Sequence, residues 1–329
     1  MYVVILPIAI LDLIFAAIYL RNFTETRKTA INIPAVILST LGFGGILYGF
    51  STAGNVGWNS DRVYTSIAIG IASLAAFVIQ QLRMKEPMLE MRVFRYGIFT
   101  TATIVNVMIM MAMFSSMMLF PLYLQNVHGF SSLKSGLLVL PGAAIMGILS
   151  PITGMVFDKI GARPLAIVGS ILALGSMYEF TKLTVTTHYP TLIVTFAVLM
   201  LGMSLLMMPV MTAGLNQLPN RLHAHGTAMG NTLQQVAGAI GTALLITVMT
   251  QGTKSDLKTL MSSRTHPITT PSAIAQATKL ATVHGIDHAF LVSCIFAALA
   301  LIGSLFIRRQ RHTADAHAND QNVGVAESV

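Results

Sequence analysis

Few side chains in this sequence are able to do chemistry, and most of them stand inside long apolar runs. Two are acids: Asp12, near the middle of "MYVVILPIAILDLIFAAIYL", and Glu179, toward the end of a later run. A carboxyl group in hydrocarbon must be protonated, paired or turned to a cavity, so it can carry protons through a membrane. Asp12 has no basic neighbour in sequence and is the candidate for proton coupling. A second set is neutral. Asn231, Gln234 and Gln235 interrupt "GTAMGNTLQQVAGAIGTALL", and Asn231 and Gln235, four apart, share a helix face. Gly226, Gly230, Gly238 and Gly241 in the same segment let helix backbones approach closely. The amides either bond across helices or line a cavity, and both readings stay open. The third set is thioethers: Met108, Met110, Met111, Met113, Met117 and Met118, then Met203, Met207 and Met208. Flexible thioethers suit surfaces that accept many apolar ligands. Met111, Met118 and Met207, with Asn106 and Phe114, are therefore candidate cavity residues.

No catalytic set can be assembled from what is left. There is no nucleophile elbow, phosphate-cradling glycine loop or pair of carboxylates, so an enzyme is not expected. The nine histidines fall mostly in loops or in the tail without ligand spacing, and no metal site is expected. The lone Cys294 allows no disulfide within the chain. No cofactor is expected.

The elements that must hold these groups follow from composition. Of 329 residues 54% are hydrophobic and 10% charged, with a mean hydropathy of +0.72. Soluble domains carry roughly 25% charged residues, so the partner of this surface is the lipid bilayer. Apolar blocks of about 20 residues span a ~30 Å hydrocarbon core as helices. Spans are expected near 2–20, 34–53, 64–82, 98–120, 135–157, 163–183, 190–213, 225–249 and 288–307. The fold class is all-α and polytopic, with about nine transmembrane helices. The segment 250–287 reads as a long outer loop in which "SAIAQATKLATVHG" forms a short surface helix.

Basic residues set the orientation. One set of connections holds Arg21, Arg27 and Lys28, then Arg83, Lys85, Arg92 and Arg95, then Lys159 and Arg163, then Arg221, and finally Arg308, Arg309 and Arg311. The opposite short loops hold only Arg62, Lys134 and Lys182. The first set is cytoplasmic, and so is the C-terminus. The net charge of +8 comes from these loops, which argues against a nucleic-acid partner.

One connection is unusual. "GMVFDKIGARP" packs Asp158, Lys159 and Arg163 between glycines and a proline. Gly154 would permit close helix contact, Gly161 a positive φ, and Pro164 the first turn of the next helix. The acid does nothing for orientation: either Asp158 meets the N-terminus of a neighbouring helix and an arginine, a contact that one helix arrangement forms and another breaks, or it is an incidental acid in a solvated turn. The pattern G-x-x-x-D-[RK]-x-G-x-[RK], carried by Gly154, Asp158, Lys159, Gly161 and Arg163, resembles the loop signature of the major facilitator superfamily. The preceding "YLQNVHGFSSLKSGLLVLPGA" is similar to the lead-in of its fourteen-span drug:proton antiporters of the EmrB/QacA type. "GTAMGNTLQQVAGAIGTALL" resembles their next-to-last span, nearest the LmrB-like lincomycin-resistance group.

The resemblance implies a major-facilitator fold and a reading of the chain by parts. Residues 1–20 would match the family's sixth span and 21–97 its two extra spans. Residues 98–311 would be the six-span C-terminal half, and 312–329 a disordered cytoplasmic tail. The chain would then lack its N-terminal half. It implies multi-pass residence in the plasma membrane and proton-driven efflux of amphipathic, often cationic drugs by alternating access. The five residues of the charged turn would be the conformational switch. Two rival readings are a non-transporting remnant and a structural or regulatory membrane subunit.

Overall fold

The computed structural model describes residues 10, 11, 13–15, 32–84, 87, 89–262 and 271–307. The chain divides into two compact units, Met1–Pro34 and Ala35–Val329. In the first, residues 10, 11 and 13–15 are helical. The proton-coupling candidate Asp12 lies outside the described residues, as does the tail from 312 onward.

All regular elements among the described residues are helical. They are α1 (Ile33–Val56), α2 (Asp61–Arg83), a 3-10 turn (Met91–Arg95), α3 (Gly97–Asn126) and α4 (Ser132–Ile160). Then come α5 (Ala162–Phe180), α6 (Tyr189–Leu215), α7 (Asn220–Ser262) and α8 (Pro271–Leu305). Seven are long and apolar enough to cross a membrane: all but α5. Helix α5 has 19 residues that include Arg163, Pro164 and Glu179, which lower its hydropathy. It nevertheless packs into the bundle against α6 and α8.

Helix α3 is the most buried of the seven and packs against α6, α7 and α8. Between helices in lipid the hydrophobic effect is spent, so close packing and buried hydrogen bonds hold the bundle. A chain of aromatic rings does this work at one level. Phe120 stacks on Phe196 with centroids 4.9 Å apart and lies 5.4 Å from Phe180, which stacks on Phe290 at 4.9 Å. Four helices meet there: α3, α5, α6 and α8. One helix end further on, the buried Tyr123 donates its O–H to the Thr184 carbonyl at 2.5 Å. Two glycine contacts set helix separation. A Cβ on Gly169 of α5 would stand 2.7 Å from the Gly202 carbonyl oxygen of α6. One on Gly45 of α1 would stand 3.0 Å from the Gly70 Cα of α2.

The structure corrects the expected outer loop. Helix α7 continues from its apolar part to Ser262, and the stretch expected as a surface helix is the beginning of α8. The reason is local. Residues 250–262 and 272–287 contain no proline, and their only glycines are Gly252 and Gly285. Those two glycines face one another: a Cβ on Gly252 would lie 3.2 Å from the Gly285 Cα. The pair therefore stays packed beyond the apolar region, and His284 Nδ1 reaches Asp256 Oδ2 at 3.2 Å.

Candidate functional site

Helix α7 separates two cavities. The larger, 460 Å³, lies where α1, α3 and α7 meet, with Leu47, Ser51, Phe114 and Gln235 among its walls. Its α7 wall follows positions 235, 238, 239, 242, 243 and 246, one face of a 3.6-residue period. The second, 310 Å³, lies between α4, α6 and α7. Asn231 and Gln234 line it from α7, Met146 and Ser150 from α4. Ser204, Met207, Met208, Met211 and Thr212 line it from α6. These walls combine amide and hydroxyl groups with movable thioethers, and no lining residue of either cavity is charged. Such a surface can accept hydrogen-bonding apolar molecules of varied outline.

The amide pair is divided differently from the sequence expectation. Asn231 joins Gln234, while Gln235 turns to the larger cavity. Positions three and four residues away flank a helix position on opposite sides, so Asn231 was free to pair with either. Its place is decided by the packing of α6. Asn106 is buried at 3% exposure and lines neither cavity. Its Nδ2 donates to Met211 Sδ at 3.9 Å, and Oδ1 has no hydrogen-bond partner among the described residues. It thus stands behind a wall of the second cavity. Met118 is 44% exposed on α3 and lines neither cavity. Met111 is partly buried and packs into the core.

The glycines of α7 each meet a neighbour. A Cβ on Gly241 would come within 2.6 Å of the Met111 Cα, and one on Gly238 within 2.7 Å of the Phe114 ring. Gly226 faces Leu218 and Gly230 the methyl end of Met211.

At the charged turn, α4 ends at Ile160 and α5 begins at Ala162, so the chain reverses on Gly161 alone. Its φ of 83° and ψ of 175° are open in practice only to glycine, and its N–H donates to the Phe157 carbonyl at 2.8 Å. Asp158, Lys159 and Arg163 are exposed. Lys159 suits the carbonyl end of α4, whereas an acid there is disfavoured by the helix dipole. Gly154 makes only ordinary contact: a Cβ would lie 3.4 Å from Met208 Cε. Close approach at that position, expected from the sequence, is not what the glycine provides.

Two acids change standing. Glu179 is exposed and paired with Lys182, Oε1 to Nζ 2.9 Å; that hydrogen bond raises the Lys182 pKa. Asp287 of α8, which the sequence reading left in the outer loop, has an enclosed Oδ1 with no hydrogen-bond partner among the described residues. On α6 the sequence pointed to Met207 and Met208, which do line the second cavity, but not to Ser204, Met211 and Thr212, which follow the helical spacing of the same face.

A helical bundle with apolar outer faces and seven helices long and apolar enough to cross a membrane defines a polytopic membrane protein. The chain belongs to the major facilitator superfamily, whose family model, Major Facilitator Superfamily, matches residues 1–242. It is 40% identical over 315 residues to the uncharacterized MFS-type transporter YcnB of Bacillus subtilis (strain 168), covering 96% of this chain and 63% of that protein. It is 42% identical over 306 residues to the lincomycin resistance protein LmrB of Listeria monocytogenes serovar 1/2a (strain ATCC BAA-679 / EGD-e), covering 93% and 63%. The chain thus spans less than two thirds of the length of these relatives. Among solved structures, an inward-facing and occupied bacterial homolog to the human lysosomal transporter Spinster aligns with a TM-score of 0.51 at 14% identity. That alignment covers 82% of this chain and 66% of the other, and it shows the fold.

Proposed function

We propose that these residues contribute a drug-binding surface to a multidrug exporter of the plasma membrane, working by alternating access. The observation that carries this reading is the cavity between α4, α6 and α7, where Asn231 and Gln234 face a stripe of methionines. Neutral amides offer hydrogen bonds without demanding one ligand geometry, and thioethers adapt to different apolar outlines. The names of relatives such as LmrB support the substrate class. Substrates are amphipathic compounds, and efflux is driven by proton entry, with Asp12 as the candidate membrane acid and Asp287, at the edge of the apolar region, as a second candidate. The charged turn, with Asp158 at the end of α4, serves as the switch, and the C-terminus is cytoplasmic.

The test is coexpression of this chain with the remaining N-terminal residues of LmrB in drug-sensitive bacteria. Efflux of a fluorescent amphipathic dye is expected, is abolished by a protonophore, and is lowered several-fold by Asn231→Ala and Met207→Ala. No efflux from a pair shown to be inserted would overturn the reading in favour of a remnant or an accessory subunit.

A further inference from the structure

We propose that Arg92, Arg95 and Arg221 form a binding site for a phosphate group, such as the headgroup of an anionic phospholipid. A cavity of 320 Å³ opens between the 3-10 turn and the start of α7, walled by these arginines with Glu90, Tyr96 and Leu222. Three guanidinium groups face one carboxylate. Glu90 is already engaged: its Oε1 lies 3.5 Å from Arg92 Nε and also accepts from the Arg92 backbone N–H at 3.4 Å. Arg95 and Arg221 have no ion-pair partner among the described residues.

Among the described residues Glu90 is the one carboxylate on the cavity wall, and the backbone holds the three arginines around it. Val93 of the turn is buried in a cluster with Phe99 of α3, Leu218, and Met229 of α7. The Thr100 hydroxyl donates to the Phe94 carbonyl at 2.8 Å, and Phe94 lies against Phe99 with ring centroids 5.8 Å apart. The two segments that carry the arginines are therefore packed on a common core, so three exposed guanidinium groups stay within reach of one oxyanion. Guanidinium forks match phosphate oxygens two at a time, and basic hollows between membrane helices hold anionic headgroups. Tyr96 and Leu222 give the hollow a less polar wall, suited to the part of a lipid beyond its phosphate. A bound headgroup would tie the turn to α7, the helix that carries Asn231, Gln234 and Gln235. The inference does not depend on export.

The full chain is reconstituted in phosphatidylcholine nanodiscs doped with phosphatidylglycerol, and the lipids that survive release are counted by native mass spectrometry. Wild type is expected to retain phosphatidylglycerol in preference to phosphatidylcholine. Arg221→Gln should lower that retention about tenfold, and Arg221→Lys should restore part of it. Arg83→Gln, which removes one exposed positive charge outside the cavity, should leave it unchanged. Arg95→Gln should repeat the Arg221→Gln result, so one poorly folding variant does not decide the matter. Inorganic phosphate that displaces the lipid from wild type, and protects it from heat but not Arg221→Gln, would make free phosphate the occupant of the same site. Equal retention of both lipids by wild type, or equal losses from Arg83→Gln and Arg221→Gln, would overturn the site.

Discussion

At the scale of single residues, the contrast between Gly241 and Gly230 shows what the α7 glycines do. An added methyl at Gly241 runs into the Met111 backbone at 2.6 Å, which cannot yield without parting α3 from α7. At Gly230 it meets only the flexible end of Met211. Gly241→Ala should therefore cost about 1–3 kcal/mol by overpacking, while Gly230→Ala is nearly neutral; thermal melting of detergent-solubilised protein checks the difference. His128, in the turn after α3, gives a pH dependence. Its Nε2 lies 3.1 Å from the Tyr123 hydroxyl, and because that hydroxyl donates to Thr184, Nε2 must supply the proton. Burial and then the charge of Lys279 push the His128 pKa below its ordinary 6.5. The unfolded chain therefore takes up the proton first as pH falls below 6.5, and the turn loses stability. Melting temperature should fall less on acidification in His128→Gln than in wild type. Single residues were only partly legible: the α6 stripe was readable as helical spacing, but the division of Asn231 from Gln235 needed the packing of α6.

At the scale of elements, apolar run length revealed most of the helices, because lipid demands it. It could not show where α7 and α8 end. Beyond the apolar region both continue as polar helices held by their shared Gly252–Gly285 contact, and a polar helix leaves no run to detect. Asp287 was missed for the same reason, since its polar neighbours read as loop. The turn between α4 and α5 was legible in type, as Gly161 does take a positive φ. Its two chemistries are separable. Gly161→Ala should destabilise by ~1–3 kcal/mol, because the required backbone region is closed to alanine. Asp158→Asn should lower efflux in the coexpressed transporter while leaving membrane insertion intact. Unchanged efflux would leave Asp158 without a part in switching.

At the scale of the whole molecule, everything rests on a bundle that threads the bilayer with its arginine-rich connections inside the cell. The proposed switch and the proposed anion site both take their sidedness from this. The direct measurement is labelling of sealed cells with a membrane-impermeant maleimide, in a Cys294→Ser background that removes the one native thiol. Lys159→Cys places a thiol in the charged turn, and Thr186→Cys places one in the loop between α5 and α6, at the other end of α5. The account predicts labelling at 186 in intact cells, and at 159 only after the membrane is opened. Ready labelling at 159 in sealed cells, with 186 protected, would contradict it.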